Sequence, residues 1–157
     1  MSDARFEDGA DASLHLVAAD AEDVKVMSAL LQDAVLPVTE MGWKPKQRRF
    51  ALLVSRFRWE DRPAAEAAGR AYERVRSLLV IEDVTAVRTQ GIDRGDREMV
   101  LSILSVGFVP KEDGTGTLTL LLAGDGAVAI DVEALEMRLE DVTRPYRAPS
   151  GKVPQHD

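Results

Sequence analysis

From residue 34 to residue 142 the apolar residues keep a two-residue beat, and in two stretches that beat slips in the same way. Alternation of this kind marks half-buried β-strand, so it fixes the class of fold before anything else is considered. The strands read as AVLPVTEMGW (34–43), RRFALLVSRFRW (48–59), YERVRSLLVIEDVTAVRTQGI (72–92), EMVLSILSVGFV (98–109), GTLTLLLAG (116–124) and AVAIDVEALEMRLEDV (127–142). In VIEDVTAV the alternation stumbles at Glu82-Asp83 and resumes with Val84 and Val87. In AIDVEALEMRL it passes from Ile130 and Val132 to Leu135, Met137 and Leu139. An extra residue that preserves the apolar face beyond it is what a β-bulge inserts, and a bulge bends its strand. Bent strands let a mainly antiparallel sheet curl, which predicts a barrel-like or orthogonal sheet. A strand pair precedes each bend, 48–59 with 72–80 and 98–109 with 116–124. The pattern reads as a degenerate duplication of a strand–strand–bent-strand unit.

Ahead of the strands lies one clear helix. LHLVAAD (14–20) is a first strand, and Asp20 after it is a good N-cap with Asp23 three residues on. Val24, Met27, Leu30, Leu31 and Ala34 then recur at spacings of three and four, one apolar stripe on an N-terminal amphipathic helix over 21–33. The Ala-rich segment 60–71, with Pro63 and Gly69, is a loop or a marginal helix. A turn at Lys44-Pro45-Lys46-Gln47, a primed hairpin at Asp125-Gly126 and a longer connection over 110–116 separate the strands. The class is therefore α+β, in one domain over 13–142. Residues 1–12 read as a flexible tail, and the Pro-rich 143–157 as a second one that wraps the surface or stays mobile. A chain of 157 residues has room for one such domain.

Composition excludes more than it suggests. Twenty Lys and Arg against 27 Asp and Glu leave a net charge of −7, which disfavours nucleic acid as a partner. With no cysteine, thiolate metal sites, iron–sulfur clusters and thiol catalysis are out of reach. The opening MSDARFEDGADAS has no apolar core of a signal peptide, and no run approaches a membrane span, so cytoplasmic residence is expected. Phosphate-cradling glycine loops, HExxH and GxSxG are missing, so neither a cofactor nor a metal is expected. His15 faces away from Leu14 and Leu16 with no partner at a diagnostic spacing, and reads as a surface histidine.

Two stretches carry the candidate chemistry. WKPKQRRFALLVSRFRWEDR interleaves Lys44, Lys46, Arg48, Arg49, Arg56, Arg58 and Arg62 with Trp43, Phe50, Phe57 and Trp59. Basic with aromatic suits an anionic ligand, although a strand with arginines on its solvent face gives the same pattern, and the overall acidity favours that plainer reading. Arg56 and Arg58 are two apart, share a strand face and could grip one carboxylate or phosphate, with Trp59 on the other face. RTQGIDRGDRE (88–98) is a connecting loop whose Arg88, Gln90, Asp93 and Arg94 could meet a polar ligand. Its Arg94-Gly95-Asp96 matches an adhesion tripeptide by chance, since nothing directs export. Glu82, Asp83, Glu133 and Glu136, at the two bulges, read as charges that keep edge strands from pairing with strangers.

LVAADAEDVKVMSALLQDAV, KPKQRRFALLVSRFRWE, RVRSLLVIEDVTAVRTQGIDR and TLTLLLAGDGAVAIDVEALEMRLED together resemble the bacterial domain-of-unknown-function family 2948, a family of alphaproteobacterial proteins, over about residues 14–142. The resemblance supplies no activity and no catalytic residue. What remains is a non-catalytic binding or interaction module, its partner a protein or a second copy of itself, through the face of Arg56, Arg58 and Trp59. The alternative is a binder or enzyme for an anionic metabolite, using Arg56, Arg58 and the 88–94 loop.

Overall fold

A computed structural model describes residues 13–93 and 95–155; the expected 1–12 tail and Arg94 lie outside the described residues. Strand β1 (His15–Ala18) leads into helix α1 (Ala21–Leu31), whose start is fixed as the sequence predicts. The Asp20 side chain accepts from the Asp23 N–H at 2.9 Å, and Glu22 and Asp23 sit in the first turn against the positive end of the dipole. The helix ends early, at Leu31, because Asp33 adopts a left-handed φ of 64° and gives its N–H to the Ile103 carbonyl.

The rest is antiparallel sheet: β2 (Val35–Pro37), β3 (Met41–Lys44), β4 (Arg49–Phe57), β5 (Glu73–Ile81), β6 (Val84–Gln90), β7 (Val100–Pro110), β8 (Gly116–Leu122), β9 (Ala127–Val132), β10 (Met137–Asp141) and β11 (Tyr146–Arg147). The segment left between loop and helix forms α2 (Arg62–Ala68), closed by Gly69 at φ 64° with the Arg70 N–H returning to the Ala65 carbonyl at 2.8 Å. Strands follow one another in the order β1-β10-β5-β4-β2-β7-β8-β9-β6, with β3 added beside β4 and β11 beside β5. The fold is the expected α+β, mainly antiparallel, and among the described residues the ladder has two ends, β1 and β6, so the sheet is open.

Both slips in the beat are bends, and they face each other. β5 pairs β10 up to Ile81↔Met137, and β6 pairs β9 from Val84↔Val132. Between those pairs the Glu82 N–H donates to the Glu136 carbonyl and the Glu133 N–H to the Asp83 carbonyl, with Asp83 at φ 56°. Two bent strands thus form one bent ribbon, and the four carboxylates lie inside a ladder instead of guarding an edge. β7 crosses between the halves as well, pairing β2 up to Ser102 and β8 from Ile103 onward, with its register slipping between Ile103 and Ser105. At that irregularity the Val106 N–H finds the Ser28 hydroxyl of α1 at 2.9 Å. A strand pair stands ahead of each bend, but the bend falls in the second strand of the first unit and in the third strand of the second. The β8–β9 turn carries positive φ at Gly124 and Asp125, one residue earlier than the expected Asp125-Gly126.

The core lies between α1 and the inner face of the sheet, with Val24, Met27 and Leu31 of the helix against Phe50, Leu52, Leu79, Ile81, Ile103, Leu118, Ile130 and Leu139. Gly116 is required there: a Cβ at this position would stand 2.5 Å from the Phe108 ring. No helix among the described residues is long and apolar enough to cross a membrane.

Candidate functional site

Along β4, Phe50, Leu52 and Val54 point into the core, and Arg56 is next in the same phase. The expected grip on a ligand, or on solvent, gives way to full burial: Arg56 is 0% exposed and Arg58 is 4% exposed. A buried guanidinium must be met by acceptors. Arg56 Nε donates to Ser77 Oγ at 3.0 Å, Nη1 to Glu60 at 2.9 Å, and Nη2 to Glu60 at 2.8 Å and Asp141 at 3.0 Å. Burial works against its charge, but Glu60 and Asp141 outweigh burial and hold its pKa above the ordinary arginine value. Asp141 also accepts from the Ser77 hydroxyl at 2.7 Å and the Leu14 N–H at 2.9 Å. Arg58 pairs with Glu73 and lies 3.7 Å from Asp61, and the cap of α2 lays Arg70 across Asp61 in two bonds of 3.1 Å. Trp59 follows in the 3₁₀ turn, packs on Phe57 with ring centroids 4.7 Å apart, and donates its Nε1–H to the Gln32 carbonyl at 2.9 Å. All three nitrogens of Arg56 are engaged, so this cluster ties β4, α2, β5 and β10 together from within.

The second candidate group lies elsewhere. Arg88 forms a two-pronged pair with Asp131 on the neighbouring β9, and the Thr117 hydroxyl donates to the same carboxylate at 2.8 Å. Arg88 chiefly, with Thr117, holds the Asp131 pKa down at about 2 although partial burial opposes them. Gln90 is exposed at the end of β6, and Asp93 accepts from the Gly95 N–H at 2.9 Å. Arg56, Arg58 and Trp59 come together, whereas Arg88, Gln90 and Asp93 sit around a different strand pair, β6 with β9.

A surface that no sequence motif marks lies on the outer side of the sheet. The face of β10, β5, β4 and β2 turned away from α1 carries the half-buried Ala51, Leu53 and Leu78, with Val80 buried beside them at 8% exposure. In register across the strands, Glu140, Leu78 and Leu53 form one row, and Pro37 and Val100 continue it. Val100 is 65% exposed and Val142 49%. Three adjoining depressions run over this face: one shares Leu53 with the second, and shares Lys44, Ala51 and Leu78 with the third. Their walls bring Lys44, Arg49, Arg76 and Arg138 around the apolar floor, against Glu40 and Glu140. Glu82 bridges Arg49 at 3.0 Å and Arg138 at 2.7 Å, and its pKa lies below the usual carboxylate value, chiefly through the Arg49 bond. Lys44 and Arg76 form no ion pair among the described residues. A chain of net charge −7 thus sets four of its 20 Lys and Arg around this apolar face.

The chain belongs to the family described as "Protein of unknown function (DUF2948)", whose model matches residues 14–156. No curated protein and no solved structure matches it.

Proposed function

We propose that the protein is a binding module whose outer sheet face receives an amphipathic helix with acidic flanks from a partner protein. The observation that carries this reading is the half-buried apolar floor of Ala51, Leu53 and Leu78, flanked by exposed Val100, inside a rim of Lys44, Arg49, Arg76 and Arg138. An apolar sheet face is ordinarily buried against a second layer, and α1 supplies that layer on one side alone. A helix laid along the rows would bury the floor, and acidic flanks would meet Lys44 and Arg76 and add rate and specificity to the encounter. The arginines first in view, Arg56 and Arg58, support this face from beneath by fixing the strands that form it.

The test uses two labelled amphipathic helical peptides with the same apolar face, one with Glu flanks and one with Lys flanks, followed by fluorescence anisotropy. The Glu-flanked peptide should bind more tightly, and Leu53→Glu should abolish binding while the melting temperature stays within a few degrees. Equal binding of the two peptides, or binding that survives Leu53→Glu, would refute the proposal. A dimer in light scattering that Leu53→Glu dissociates would assign the face to a second copy of the chain instead.

A further inference from the structure

At the margin of β3 the fold leaves a further, partly open space. Met41 and Trp43 are in register with Leu52 and Phe50 of β4, so their side chains share the core face at its margin. Val38 and Thr39 of the preceding 3₁₀ turn and Arg97 of the 91–99 connection complete the lining of a cavity of about 300 Å³. The connection is fastened at that point. The Val38 N–H donates to the Met99 carbonyl at 2.8 Å, the Met99 N–H to the Asp96 carbonyl at 3.2 Å, and the Glu98 N–H to the Asp96 carboxylate at 3.1 Å. Arg97 is thereby set at the cavity margin by the backbone on either side of it.

The chemistry of the lining is one-sided. Among the described residues, four apolar side chains, a hydroxyl and a guanidinium line it, and no carboxylate does. Arg49, Arg56, Arg58 and Arg88 all have carboxylate partners, whereas Arg97 is exposed and makes no ion pair among the described residues. An apolar pocket with few polar groups to set orientation is the usual form of a small-molecule site, and its size lies at the low end of that range. At about 30 Å³ for each water-sized group, it holds a body of about ten non-hydrogen atoms.

We infer that this cavity binds a small monocarboxylate with a flat apolar body. The body lies against Trp43 between Met41 and Phe50, and the carboxylate meets Arg97 at the mouth, where the planar guanidinium can take both oxygens. Asp96 and Glu98 flank Arg97 in sequence but, among the described residues, form no ion pair with it, so one guanidinium is left to match one negative charge. The cavity borders the outer depression, with Thr39 and Met41 in both linings, but it uses neither Leu53 nor the Lys44 and Arg76 rim on which the proposed function rests.

The probes are 3-phenylpropionate and the matching neutral 3-phenylpropan-1-ol, titrated into nitrogen-15-labelled protein. The chain has two tryptophans, and Trp59 is engaged with the Gln32 carbonyl, so its indole N–H signal serves as the control. The Trp43 signal should move with both probes and the Trp59 signal should stay. The carboxylate should bind about tenfold more tightly than the alcohol, the worth of one charge-assisted contact at a partly exposed site. Arg97→Gln should bring the two affinities together without weakening the alcohol. A stationary Trp43 signal at millimolar probe, equal affinities in the unaltered protein, or a carboxylate preference that persists in Arg97→Gln would each overturn the inference.

Discussion

Asp141 is the residue whose removal should reveal how the buried arginine is held. Its carboxylate is 4% exposed, faces the wholly buried Arg56, and also receives the Ser77 hydroxyl and the Leu14 N–H. Truncation to alanine leaves a guanidinium in the interior with Glu60 as its remaining charged partner, and a backbone N–H at the start of β1 without its acceptor. Breaking a buried pair from one side costs about 3–5 kcal/mol, and the surviving Glu60 pair points to the lower end, about 3 kcal/mol. For a domain of this size that is a fall in melting temperature of about 6–12 °C. Arg56→Met alone should cost a similar amount, because it strands Asp141. The double variant should cost far less than the sum, since the charge that needed a partner is gone. Urea denaturation of the four proteins gives the coupling directly, provided the slope stays constant. A coupling of about 2 kcal/mol is expected; additivity within about 0.5 kcal/mol would mean that the two side chains do not depend on each other.

Replacement of Arg88 by glutamine should raise the Asp131 pKa from about 2 toward its ordinary 3.8, read from the carboxyl carbon shift during a pH titration. Because the folded pKa is the depressed one, the pair stabilises the protein fully above about pH 4, and that contribution disappears as the pH falls toward 2; an unmoved Asp131 in the variant would disprove the pairing. Gly116→Ala should destabilise by about 1–3 kcal/mol, since the new methyl meets the Phe108 ring at 2.5 Å and the Val109 carbonyl oxygen at 2.7 Å, and Phe108→Ala in the same chain should relieve the first contact and leave the second; a neutral Gly116→Ala would show that ring and strand both move aside freely.

Periodicity made the frame legible. The two slips at Glu82-Asp83 and after Val132 gave the bends, and the stripe from Val24 to Leu31 gave the helix and its buried face. Nothing local could show that one bend lies on the other, because their partners are separated by some fifty residues of sequence. The burial of Arg56 was legible in principle. It continues the phase of Phe50, Leu52 and Val54, and a charge in phase with a core stripe, with Glu60 four residues on, signals an internal ion pair. Charge alone suggested a solvent face and hid this. The outer surface was invisible for a different reason. Ala51, Leu53 and Leu78 lie on the face that a half-buried strand turns to solvent, and only their register across β4 and β5 gathers them into one apolar floor. Arg97 drew no notice because its importance comes from Trp43 and Val38, which the chain brings to it from far upstream.

The pairing of β1 with β10 also sets the order in which the molecule can be completed. His15 lies opposite Glu140, and Leu14 is tied to Asp141, so the first ordered strand has as its ladder partner almost the last. During synthesis at about 5–20 residues per second, that partner emerges on the order of ten seconds after β1 does. Throughout that interval HLVA has no strand to join, while β4 and β5 can already pair behind it. The ribosome makes β1 first, and the sheet seats it late.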